Sequence, residues 1–315
     1  MSEYSLSAWL IMMAVSLLCA CAVFAVSARR RMALSSGRAL ALGGFVYAAG
    51  ALLGILGAKL FYFLFRIFYL MDLGAGAFWL SFHTEELSYY GGVAGVTLAV
   101  FLAAKCFRLS PRSTLNAFAA AGALLAAAAR FAEVFLFPTG LGAYLDEPLP
   151  FPLAVSVVYS EDYTESILAI YNFEGLVSLI AFALALVHRN EPRRFLRTLF
   201  YLCLPQILLE SLRTDAINLL FVHIEQLLCY LFVEGVLVWY GFAGGRKRPD
   251  SWVPALTGLA VCGAVIAEEF MLDGKLRIGG AYVSPWITYS LMAAGLALLA
   301  VMEHRGNRRL YSSLK

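Results

Sequence analysis

The chain alternates long apolar runs with short polar segments, and the runs have bilayer length. A transmembrane helix needs about 20 mostly apolar residues, and nine runs approach this, near 8–28, 40–65, 88–106, 114–137, 167–187, 196–213, 217–241, 252–270 and 282–302. The sixth is short and interrupted by Pro205, Glu210 and Arg213. The first run is not expected to be a secretory signal. Residues 1–7 carry no positive charge, and the basic cluster Arg29-Arg30-Arg31 follows the run instead of preceding it.

Composition agrees. Of 315 residues, 61% are hydrophobic and only 14% charged, against roughly 25% charged in soluble domains. The fold expected is all-α, a polytopic transmembrane helix bundle. The net charge of +3 says little, because in such a protein the placement of charge carries the message. With the N-terminus outside, the basic residues around 29–38, 105–112, 189–197, 246–248 and 305–315 all fall in cytoplasmic segments, whereas Asp146, Glu147, Glu161, Asp162 and Glu165 lie in an outer loop. The expected topology is therefore nine spans, N-out and C-in. The expected organisation is a seven-span core over 1–242, a cytoplasmic linker at 243–251, and two additional spans with a basic tail over 252–315. The outer loop 138–166 contains four prolines and reads as a lid or arm rather than a folded domain. Six cysteines lie in or beside apolar runs without metal-ligand spacing. Neither a metal, a cofactor nor a nucleic-acid partner is implied.

Polar and ionisable residues inside spans are costly, so each is a candidate functional group. Lys59, Arg130, Glu133, Glu174, Glu210, Arg213, Gln226 and the deeper Glu234 all lie in or at the ends of spans. Arg130 with Glu133, and Glu210 with Arg213, are spaced i,i+3 and share a helix face. Under the N-out topology nearly all of these groups, and Tyr90, fall in the outer half of the bilayer, which would suit one cavity open to the outer leaflet. The alternative is that each i,i+3 pair merely neutralises itself between helices. Glu234 is better suited to a structural, inter-helix role. The stretch "YYGGVAGVTLAV" (89–100) poses the same choice. Its glycines either let two helices approach or leave room for a substrate that a tyrosine addresses.

Several segments together resemble the prolipoprotein diacylglyceryl transferase family, over roughly residues 8–241. "GILGAKLFYFLF" is similar to the family's G-A-R-L-x-Y-x-L-F, with Lys59 for the arginine and Tyr62 in place. "YYGGVAG" is similar to H-G-G-L-x-G, with Gly91 and Gly92 matching and Tyr90 where the histidine stands. "YNFEG" resembles Q-L-Y-E through Glu174, "ILLESLRTD" resembles an E-x-x-R segment through Glu210 and Arg213, and "IEQLL" keeps Gln226. The signature R-x-G-N-F-x-N-G-E survives as Arg130, with Glu133 replacing an asparagine and Pro138 near the final glutamate's place; Gln206 stands where a further arginine is expected.

The resemblance implies a multi-pass protein of the bacterial cytoplasmic membrane. It implies transfer of diacylglyceryl from phosphatidylglycerol to the lipobox cysteine of a prolipoprotein signal peptide. That chemistry needs cations on the phosphate, for which Arg130 and Arg213 are best suited and Lys59 supports. It also needs a base for the thiol, since the thiolate is the nucleophile. Unperturbed tyrosine ionises only near pH ~10, which makes Tyr90 a poor base; Glu133 and Glu210 are the alternatives, since burial moves a carboxyl toward the neutral range. The candidate catalytic set is Tyr90, Arg130, Glu133, Glu210 and Arg213, and the candidate substrate-binding set is Lys59, Tyr62, Gly91, Gly92, Glu174, Gln206 and Gln226. Two other readings stay open: a non-catalytic descendant that binds phospholipid or lipoprotein, which the motif losses suit, and an unrelated transporter.

Overall fold

The computed structural model describes residues 6–67, 78–79, 87–136, 139–160, 163–189, 191–214, 218–219, 222–243, 252–277 and 281–312. Of the sequence features above, Pro138, Glu161, Asp162, most of the 243–251 linker and residues 313–315 lie outside these. The described residues hold nine α-helices: α1 Leu6–Met32, α2 Ser36–Phe65, α3 Tyr89–Cys106, α4 Pro111–Ala132, α5 Ile170–Val187, α6 Arg194–Ser211, α7 Ile224–Ala243, α8 Val253–Leu272 and α9 Pro285–Ser312. Eight of them are long and apolar enough to cross a membrane by length and composition. The exception is α6, the sixth expected span, where Arg194, Arg197, Glu210 and Pro205 dilute the apolar character. Large apolar side chains such as Leu18, Leu52, Leu60, Ile180, Leu256 and Leu291 point outward from the helices, as a lipid-facing surface requires. The protein is a polytopic, all-α membrane protein.

By contacts the chain divides into two compact units, Met1–Leu199 and Phe200–Lys315. This division falls within α6, whereas the sequence divides the chain at 242/243. In the first unit, α2 packs on α3, α1 on α4, and α4 on α5. Its apolar core joins Leu17, Phe24, Leu42, Val46, Val100 and Phe118, with the Phe24 and Phe118 rings edge to face at 5.4 Å. The alanine run of α4 makes this packing close: small side chains let three neighbours approach, and most of α4 is buried.

One end of this unit is held by arginines. Arg31 donates to the carbonyls of Arg189 and Glu191 at 2.6 and 2.8 Å, and Arg38 to that of Phe107 at 2.7 Å. Arg194 donates to Ala185 O at 2.6 Å, while Asn116 bridges Pro192 O and Phe195 N. Orphan carbonyls at helix ends find donors there; the arginine donors come from two of the basic segments expected to be cytoplasmic, 29–38 and 189–197, and Phe107 of a third, 105–112, accepts.

Loop 138–166 departs from its expected form. Instead of a bare arm it builds a three-stranded antiparallel sheet, ordered β1 Tyr144–Leu145, β3 Tyr163–Leu168, β2 Ala154–Ser160. Val155 pairs with Ile167 and Val157 with Glu165. Alternation with β-branched residues accounts for the strands: Val155, Val157 and Ile167 cover a small core with Leu141, Ala169 and Tyr171. The strand β3 also delays α5 to Ile170. In the second unit a short pairing of β4 Asn218–Leu219 with β5 Val222–His223 delays α7 to Ile224, seven residues after the expected start of its span at 217. There α7, α8 and α9 pack on one another.

Candidate active site

In the first unit the polar end of the bundle is built on a helix–helix contact with almost no gap. A Cβ on Gly91 would stand 2.3 Å from Gly57 O, and one on Gly95 would stand 2.0 Å from Leu53 O. Neither distance is physically attainable, so these glycines exist to seat α3 on α2. Gly92 differs, since a Cβ there would meet nothing nearer than 3.8 Å. Ser88 caps α3, accepting from Gly91 N at 3.4 Å, while its own N–H donates to Ala58 O at 3.2 Å.

That seating sets Tyr89 over the last turn of α4. The Tyr89 ring lies 3.8 Å from the guanidinium carbon of Arg130, an aromatic face on a cation. Arg130 is buried, and its Nη1 donates to Glu133 Oε1 at 2.7 Å. Its Nε lies 3.2 Å from Oε2 of Glu174, a carboxylate with no exposed surface. Glu174 reaches it because Gly175 lets α5 close on α4: a Cβ there would stand 2.6 Å from the Phe131 ring. The far oxygen of Glu133 lies against Gly140, which adopts a left-handed φ of +74° and where a Cβ would come within 2.3 Å of that oxygen. Gly140 O in turn accepts from Tyr171 N at 3.0 Å, closing the start of the outer loop over the carboxylate.

The other expected residues of this unit sit nearby on the same helices. Lys59 is buried, donates to Phe78 O at 2.9 Å and lies 4.9 Å from the Phe78 ring, on which Tyr62 also stacks. Tyr90 meets Tyr89 edge to face at 5.2 Å. The residue that sequence reasoning missed is Tyr89. Its position at the first turn of a span, beside Tyr90, was visible, but helix rotation decides which of two adjacent rings meets α4.

The second unit holds the remaining candidates. Glu210, with no exposed surface, accepts from Gln206 Nε2 at 3.0 Å and lies 3.9 Å from Arg213 Nε. Its backbone carbonyl sits 2.7 Å from His223 Nδ1. Gln226 is buried and donates to Ile207 O at 2.9 Å and to Glu269 Oε1 at 2.7 Å. Glu234 packs against Gly258 of α8, and Tyr230 donates to Gly258 O at 3.0 Å. At the far part of α9, Glu303 is fully buried and accepts from Tyr201 and Tyr240, each at 2.9 Å. Sequence reasoning passed over Glu269 and Glu303 because both lie beyond the family-like segment.

A buried arginine flanked by two carboxylates and capped by an aromatic ring is a preorganised cation in a dry environment. The family model of prolipoprotein diacylglyceryl transferase matches residues 2–241. The chain belongs to this family. No protein of curated function matches it significantly. The prolipoprotein diacylglyceryl transferase family acts on lipid donors and prolipoproteins in a membrane, and its match covers every candidate residue named from the sequence. Glu269 and Glu303 lie outside it.

Proposed function

We propose that the protein is a divergent phosphatidylglycerol–prolipoprotein diacylglyceryl transferase of the bacterial cytoplasmic membrane, oriented N-out and C-in. In that reaction the lipobox thiol gives up its proton, and its sulfur forms a bond to the terminal glycerol carbon of the diacylglyceryl group. The bond from that carbon to the phosphate oxygen breaks, and glycerol phosphate leaves with the electron pair. The observation that carries the reading is Arg130. It occupies the place of the family's signature arginine, and it is buried with Glu133, Glu174 and Tyr89 around it. A guanidinium held so can bind phosphate oxygens as charge builds on them, without the cost of reorganising water. Glu133 and Glu174 are the groups placed to receive the thiol proton beside that charge. Glu210 and Arg213 are the second acid–base and cation pair, with Gln206 bound to the glutamate. Gly92 is the glycine suited to a lipid approach, whereas Gly91 and Gly95 serve packing.

A specific observation favours a second reading, a descendant that binds phospholipid or lipoprotein without turnover. Both arginines already have carboxylate partners three residues away along the chain, and Tyr90 replaces the family histidine. One experiment separates the two. Purified protein is given phosphatidylglycerol and a lipobox peptide, and the diacylglyceryl thioether and released glycerol phosphate are measured. Product from wild type that is lost in Arg130→Ala and in Arg213→Ala supports the transferase and its residues. No product from wild type, with phospholipid still bound, leaves the binding descendant.

A further inference from the structure

The two C-terminal helices lie beyond the family match, yet one of their side chains is bonded to a family-motif residue. We propose that Glu269 of α8 is a positioning residue for the α6 segment bearing Gln206 and Glu210, acting through Gln226. The consequence for turnover rests on the transferase reading; the consequence for local structure does not.

The geometry is specific. Ile207 O is a backbone carbonyl and can only accept, so Nε2 of Gln226 must face it, and that orientation turns the same nitrogen toward Glu269 Oε1. The amide has two N–H groups, and these two bonds engage both. Gln226 therefore acts as a strut, tying the backbone of α6 at Ile207 to α8 at Glu269. Ile207 follows Gln206 directly and precedes Glu210 by three residues. Gln206 Nε2 donates to Glu210 Oε1 at 3.0 Å, and the carbonyl of Glu210 meets His223 at 2.7 Å, three residues before Gln226. A continuous chain of bonds thus runs from α8 to the carboxylate. Glu269 is not the sole contact of α8, because Tyr230 bonds Gly258 O and Gly258 packs on Glu234 elsewhere along the same pair of helices. Removing the Glu269 carboxylate should leave the fold in place and loosen the strut.

The test uses the full chain in lipid nanodiscs, with hydrogen exchange read by mass spectrometry over residues 205–214 alongside transferase kinetics. Glu269→Ala is expected to raise exchange in that segment about tenfold, the effect of losing one buried side-chain hydrogen bond. Glu269→Gln keeps an accepting oxygen and is expected to restore protection. Gln226→Met should reproduce the Ala signature, and adding Glu269→Ala to it should change exchange no further, since the strut is already gone. In the active enzyme kcat should fall for the Ala variant and recover for the Gln variant, with KM little moved. Unchanged exchange at 205–214 in Glu269→Ala, a Gln variant that behaves like Ala, or additive effects in the double variant would each overturn the proposal. If wild type shows no turnover, the transferase reading fails while the exchange result still decides the role of Glu269.

Discussion

Arg130 is held by two carboxylates, so its removal has two separable effects. Breaking a buried ion pair by deleting one partner costs about 3–5 kcal/mol, because the other charge is left buried. Arg130→Ala should therefore lower the thermal midpoint in detergent as well as activity. Combining Arg130→Gln with Glu174→Gln removes charge from both sides of one pair. That double variant should regain a large part of the lost midpoint, while activity stays absent if the arginine serves the phosphate. Recovery of both would show that the cluster is only structural. Tyr89 allows a gentler test. Its ring on the guanidinium is worth about 0.5–2 kcal/mol, so Tyr89→Leu should reduce kcat/KM by between twofold and about thirtyfold. Tyr90→Phe should do less, since it removes a hydroxyl and keeps the ring against Tyr89.

At the scale of elements, the glycines of α2 and α3 divide by what surrounds them. Gly95→Ala would force a Cβ to within 2.0 Å of Leu53 O, so the helices must part. A loss of about 1–3 kcal/mol is expected for overpacking of this kind, measured as a lowered thermal midpoint or reduced yield of folded protein. Gly92→Ala has room and should leave the midpoint unchanged. If Gly92→Ala nonetheless loses activity, the missing space is space the lipid uses. The position of α3 was only half legible in sequence. Small residues at i,i+4 in an apolar run announce a close helix partner, but they do not say that the partner is α2. Likewise, Val155 and Val157 flank Ser156 in a short stretch of period two. Prolines nearby masked that period, and only the pairing with 163–168 turns it into a sheet.

For the whole molecule, orientation is the property on which an outward site depends. The basic segments whose arginines meet at one end of the first unit should face the cytoplasm. The sheet-bearing loop should then face outward. In a background with the six cysteines replaced, Glu147→Cys is expected to react with an impermeant maleimide in intact cells. Lys315→Cys should react only after lysis. Labelling of residue 147 only after lysis would reverse the topology and remove the argument for an outer-leaflet site.

The sequence by itself determined the class, eight of the nine expected spans and the pairs. Hydropathy is a sum over neighbours along the chain, and a spacing of three residues at a helix end keeps Arg130 close to Glu133 and Glu210 close to Arg213. It also determined the family, through motifs read in order. What only the tertiary structure decided is which helix faces which. Rotation and register between helices are set by the fit of side chains far apart in sequence, and a repeat along one helix does not specify them. That is why Glu174 rather than solvent completes Arg130 and Tyr89 covers it, why Lys59 is spent on the carbonyl of Phe78, and why Gln226 reaches a glutamate outside the family-like segment.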